Sequence, residues 1–164
     1  MADSKADLLA GAGGLVTDEA QSDHQGRKAL LLVRNNEDCG EFIALAKTMG
    51  INIVDRVDQR GRSDAKWFLG QGKLQDVNEE LRSTSHGHPW NGVDLLLLHT
   101  NATPRQLVGV NDAVGIEVWD RVRLLLALFT AHASSVEART QVRIARLQSD
   151  RTVLREVVKQ QTTG

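Results

Sequence analysis

The segment RKALLLVRNNEDCGEFIALAKTMGINIVDRV, Arg27 to Val57, decides the fold. Ala29 to Val33 form an unbroken apolar run, which suits a strand covered on both faces rather than one facing water. Asn35 or Asn36 then offers a helix cap, and Glu37 and Asp38 would lie in a first turn where the helix dipole favours acids. Phe42, Leu45, Ala46 and Met49 recur at helical core spacing, and Gly50 fits the left-handed position that ends a helix. A second strand follows over Ile51 to Val57. Strand, helix and strand with short connections imply a parallel pair joined by a crossover.

The same grammar continues downstream. Leu74, Val77 and Leu81 are spaced for the buried face of a helix from about Lys73 to Leu81. RSTSHGHPWNG, residues 82–92, is a loop signal. VDLLLLH, Val93 to His99, is a third buried-type strand, and Thr103 before Pro104 predicts a capped helix start. IEVWD, Ile116 to Asp120, reads as the last strand. The expected fold is α/β: a small parallel sheet flanked by helices, followed by one or two long C-terminal helices. VRLLLALFTAHA, Val122 to Ala133, is apolar on nearly all sides and should be buried. Ser134 or Ser135 would cap a longer helix through about Lys159. On that helix Val136, Ile144, Leu147, Leu154 and Val158 fall within an arc of roughly 80°. This stripe needs a receiver: the domain, a second copy or another partner.

Three parts are expected: a flexible acidic tail over 1–26, an α/β unit over 27–120 and a helical arm over 121–164. The chain has 164 residues, a formal net charge of −1 and 41% hydrophobic residues. That balance fits one globular core and by itself points to no nucleic-acid or membrane partner. The charge is nevertheless unevenly placed. Residues 1–25 hold five acids against Lys5, whereas residues 120–160 hold eight Arg and Lys against four acids. The lone Cys39, the lack of a signal-peptide pattern and the lack of a spanning apolar run are read as a cytoplasmic protein.

WFLGQGKLQDV, Trp67 to Val77, resembles half of a phosphate-binding loop. A full loop needs glycine six residues before the lysine and Ser or Thr after it. Trp67 and Leu74 occupy those places around Lys73. Gly70, Gly72 and Lys73 therefore read first as a backbone turn into a helix, with nucleotide or anion binding at the helix start as the alternative. Asp120 is expected to cap the next helix and Arg121 to pair locally, the alternative being a ligand or partner contact. His86 and His88 have no cysteine or carboxylate set in sequence to complete a metal site, and no catalytic residue is identified. Cys39 is expected to pack beneath the first helix. Arg139, Arg143 and Arg146 fall within about 60° of one another on the long helix, a face suited to RNA phosphates or, alternatively, to a solvated surface paired with Glu137 and Asp150.

Taken in order, these segments resemble the N-terminal domain of the HflX family of translational GTPases. The resemblance rests on Phe68 with Gly70, Gly72 and Lys73; Thr103, Pro104 and Gln106; Asp120 and Arg121; Ala133 and Glu137; and Gln141, Val142, Ile144, Ala145 and Leu147. It covers most of residues 28–148. It implies an α/β subdomain with long helices, standing before a GTPase domain and docking on the large ribosomal subunit through rRNA. It also implies GTP and magnesium only where a G domain is present, and a weaker nucleotide-binding capacity in some N-terminal domains. Departures follow Leu147, where QSDRTVLREVV replaces the family's aromatic and Pro-Arg-Leu segment. Ala127 and His132 stand where the family commonly has Asp and Arg. No Gly-x4-Gly-Lys-(Ser/Thr) and no Asn-Lys-x-Asp occurs in these 164 residues. The expectation is a binding module without GTP hydrolysis of its own, with the ribosome or a GTPase domain as partner and a homodimer through the last helix as a further possibility.

Overall fold

The computed structural model describes residues 24–163. The tail reading over residues 1–23 lies outside them. His24 to Gly26 belong to the folded body: His24 is buried with its ring edge-on to Trp119, and the Gly26 amide donates to the Gly50 carbonyl.

The sheet is four-stranded and wholly parallel. It comprises β1 (Lys28–Arg34), β2 (Asn52–Gln59), β3 (Val93–Leu98) and β4 (Glu117–Trp119) in the order β2-β1-β3-β4. Between them run α1 (Gly40–Thr48), α2 (Gln71–Arg82) and α3 (Pro104–Val114); α4 (Arg121–His132) and α5 (Val136–Thr163) follow. Because side chains alternate across a strand, β1 and β3 feed two cores. Ala29, Leu31, Val33, Leu95 and Leu97 meet Phe42 and Ala46 of α1 and Leu124 and Ala127 of α4. Leu30, Leu32, Leu96 and Leu98 meet Leu74 and Val77 of α2, Leu107 and Val108 of α3, and Val153 and Val157 of α5. Each such aliphatic side chain contributes about 1.5–3 kcal/mol on full burial. The central strands are thus apolar without interruption because both faces are covered, whereas the edge strand β2 alternates with Asp55, Arg56 and Asp58.

Several local expectations change. Asn35 and Asn36 do not cap α1; both take left-handed backbone angles (φ 57° and 50°) in the turn leaving β1. The helix starts later, with buried Cys39 at its N-cap position and the Asp38 carboxylate accepting from the Gly40 amide at 2.9 Å. Asparagine tolerates that conformation better than most side chains, so the turn uses it there. The α3 start is the capping box that Thr103 predicts. The Thr103 hydroxyl accepts from the Gln106 amide, and the Gln106 side chain accepts from the Thr103 amide, at 3.1 and 3.0 Å. In α4 the side chains of Val122 and Phe129 are exposed, so burial is confined to one side, with Arg123, Leu124, Leu126 and Ala127 inside.

For α5, one of the three receivers left open for its stripe falls away. Val136, Ile144, Leu147, Leu154 and Val158 are not seated on the domain; all five are exposed. The helix instead buries Arg146, Asp150, Val153 and Val157, a face rotated about 100° from the stripe. Asp150 accepts from the Arg123 guanidinium at 2.8 Å, an ion pair almost wholly removed from solvent. Ser149 accepts from the same guanidinium at 3.2 Å. The inward face of α5 is thus the one that carries the Arg123–Asp150 pair together with Val153 and Val157 in the core.

Candidate functional site

The chain steps from β1 outward to β2 and then back past β1 to β3, so the connections diverge between β1 and β3. In open α/β sheets the carboxyl ends of the strands at such a point form the usual ligand crevice. Here the β1 exit carries Arg34 and Glu37, and the β3 exit carries His99. His99 Nδ1 lies 2.9 Å from Glu37 Oε2, and its Nε2 lies 3.2 Å from an Arg121 nitrogen. A guanidinium only donates, so Nε2 accepts and Nδ1 carries the proton it gives to Glu37. The His99 ring is buried edge-on to Phe42, while the Glu37 side chain is half exposed. Asp120 caps α4 through the Arg123 amide at 2.9 Å and also accepts from the Ala102 amide at 2.9 Å. Burial pushes its carboxyl up, against the pull of those two amides. Asp120 and Arg121 therefore act within the chain, tying the β3 exit to the start of α4.

The glycine motif has an unexpected geometry. Gly70 is extended (φ −65°, ψ 146°) at the N-cap position of α2, and Gly72 lies within the helix. Neither needs glycine's conformational freedom, so the backbone-turn explanation does not hold for them. The left-handed residue of this turn is Phe68, at φ 61°, held by paired backbone bonds with Asp64 at 3.0 and 3.1 Å. The Arg34 guanidinium donates to the Phe68 carbonyl at 2.8 Å and to that of Arg60 at 3.1 Å. Asp64 Oδ1 accepts from the Lys66 and Trp67 amides at 2.7 and 2.8 Å, and these bonds hold its carboxyl below the usual range. The Gln106 side chain donates to the Asp64 carbonyl at 2.7 Å, so the capping glutamine of α3 also clamps this loop. Gly109 permits the approach: a Cβ there would stand 2.1 Å from the Lys66 carbonyl oxygen.

What remains at Gly70 to Lys73 is a helix start without a side-chain cap, its Gly70 amide given to the Gln59 side chain at 2.6 Å. A Cβ on Gly72 would meet nothing within 4 Å. The residues do not fit a magnesium–triphosphate loop. Leu74, where the hydroxyl ligand would stand, is wholly buried in the core.

The three arginines separate. Arg139 and Arg143 are exposed on α5, and the Arg139 side chain reaches the Ala133 carbonyl at 3.4 Å. Arg146 is only 7% exposed, beside Asp150, and burial lowers its pKa. It belongs to the anchoring face of the helix rather than to an exposed basic one. His88 accepts from the Trp90 amide and lies 3.3 Å from a Glu80 oxygen. Among the described residues no group of His, Cys, Asp and Glu has the arrangement to hold a metal ion. Sequence reasoning passed over Arg34, Glu37 and His99. The available signal was positional: each polar residue ends or follows an otherwise apolar strand at its carboxyl side.

Residues 36–130 match the family described as GTP-binding GTPase N-terminal. The chain belongs to the HflX family. It corresponds to the N-terminal domain of those GTPases. It is 31% identical over 119 residues to the GTPase HflX of Hyperthermus butylicus, covering 73% of this chain and 30% of that one. The GTPase HflX of Thermococcus kodakarensis is 26% identical over 141 residues, covering 84% and 30%. This HflX domain therefore spans about 30% of the length of the relatives it matches. Its fold is similar to that of a GTP-binding protein from Sulfolobus solfataricus solved in complex with GDP. There the TM-score is 0.63 at 24% identity, covering 81% of this chain and 40% of that one. Among the described residues no helix is long and apolar enough to cross a membrane.

Proposed function

We propose that the chain is a cytoplasmic binding module that docks on the large ribosomal subunit, or on a GTPase domain, and hydrolyses no GTP by itself. The observation that carries this reading is α5, a long helix anchored to the domain through Arg123 and Asp150 while Arg139 and Arg143 on it are exposed. Guanidinium groups held in that way suit RNA phosphates, and their contribution falls as salt rises. Cosedimentation with purified large subunits over a salt series tests it. Retention should weaken with salt and drop further when Arg139 and Arg143 are both replaced by alanine. No retention, or retention indifferent to salt and to that replacement, removes the reading.

A second reading, a small ATP- or GTP-binding domain, is supported by the uncapped start of α2 and the open space over Gly72. Amides at such a helix start favour an anion, and Lys73 lies in the same turn. Titration with labelled nucleotide should then saturate, and Lys73→Ala should weaken it. Equal, non-saturating titrations of both proteins would dispose of it.

A further inference from the structure

A cleft of about 370 Å³ opens where the starts of α3 and α4 meet the middle of α5. Small-molecule sites begin at about that size. Its walls are mostly aliphatic: Pro104 and Leu107 from α3, Val122 from α4 and Val153 from α5. Asp120, Ser149 and Thr152 supply polar groups. Ala145, Ser149 and Thr152 are centred about 150° around α5 from the exposed apolar stripe, so the cleft is a separate surface.

The chemistry of the walls decides the ligand. Both helix starts are already capped, α3 by Thr103 and α4 by Asp120, and Pro104 has no amide hydrogen to give. Among the described residues no Arg or Lys side chain lines the cleft. The nearby Arg123 guanidinium is taken up by Asp150 and Ser149. An anion would therefore meet few donors. Asp120 is the ionisable group of the walls and is only 3% exposed. Its two oxygens accept the Arg123 and Ala102 amides, and each has a second acceptor position. Burial raises its pKa, a cost that a cation beside it would offset. We propose that this cleft binds a small amphipathic amine, its apolar body between Leu107, Val122 and Val153 and its ammonium on the Asp120 carboxylate. Neither the ribosome reading nor the nucleotide reading uses the cleft, so this goes beyond both.

Phenethylamine, phenethyl alcohol and phenylpropionate share an apolar ring and differ in charge, so they serve as probes. Titrated into the isotope-labelled full chain, phenethylamine should saturably shift the amide resonances of Ala102, Ser149 and Thr152. Phenethyl alcohol should bind at least about tenfold more weakly, the worth of a charge-assisted hydrogen bond, and phenylpropionate should not bind. Asp120→Asn, which keeps a capping oxygen, should remove the preference for the amine over the alcohol. Thr152→Phe, at an exposed position of α5, should fill the cleft and abolish binding of both while circular dichroism stays unchanged. Affinity for the amine should fall as acid protonates Asp120, whereas affinity for the alcohol should not. The proposal is overturned if no probe shifts these resonances, if the three bind equally, or if Thr152→Phe holds phenethylamine as tightly as the native chain.

Discussion

β3 and α5 treat their hydrophobic residues in opposite ways. In β3 every leucine from Leu95 to Leu98 is fully buried, two toward each core. In α5 the stripe leucines remain in solvent while Arg146 and Asp150 are inside. The strand has no choice, because helices cover both faces of a parallel sheet and any register buries it. A helix on the periphery has a rotational choice, and here the inward face is the one that carries both a desolvated ion pair and the core valines Val153 and Val157. Hydrophobic content alone is thus decisive for the centre of this fold and insufficient at its margin.

The strongest way to break the comparison is at the ion pair. Arg123→Ala leaves Asp150 buried without its guanidinium partner and should cost about 3–5 kcal/mol in urea unfolding. Replacing Arg123 by Met and Asp150 by Leu together should cost clearly less than the sum of the two single changes. Leu97→Ala in β3 should cost about 2–5 kcal/mol, by lost burial and a residual cavity. The matching change on α5, Leu154→Ala, should cost less than about 1 kcal/mol. Similar costs for the two leucines would show that α5 buries its stripe in solution. Between these lies Gly109→Ala, which forces a methyl onto the Lys66 carbonyl and should cost about 1–3 kcal/mol, with the loop at Asp64 to Phe68 loosened in hydrogen exchange.

The smallest effect concerns pH. The Asp64 carboxyl is held low in the folded chain, so its contribution is present above the unfolded value of about 3.9 and is lost as pH falls through the folded one. The stability difference between the native chain and Asp64→Asn should therefore shrink below about pH 4. Asp120, Glu117 and Asp150 shift the other way, because burial opposes their ionisation. A difference that instead grows in acid would place the Asp64 bonds elsewhere.

Much of the fold was legible because its determinants are local or periodic. Thr103 and Pro104 announce a helix start by chemistry available within four residues, and the apolar runs of β1 and β3 announce coverage on both sides. The candidate site was less so. Glu37, His99 and Arg121 are separated by 62 and 22 residues in the chain and meet only because parallel strands bring their carboxyl ends to one edge. The turn at Phe68 was misassigned to its neighbouring glycines because a left-handed aromatic is uncommon, and the bonds that enforce it come from Arg34 and Asp64.

The amino-acid order alone determined the sequence of strands and helices, the parallel sheet and the membership in the HflX family, since these rest on periodicity, caps and motif succession. Only the tertiary structure decided which face of α5 turns inward and which glycine is needed for close packing. It also decided which two of three neighbouring arginines reach solvent. Those outcomes depend on where a distant partner sits, and a charge or a carbonyl brought near by folding leaves no mark in local sequence.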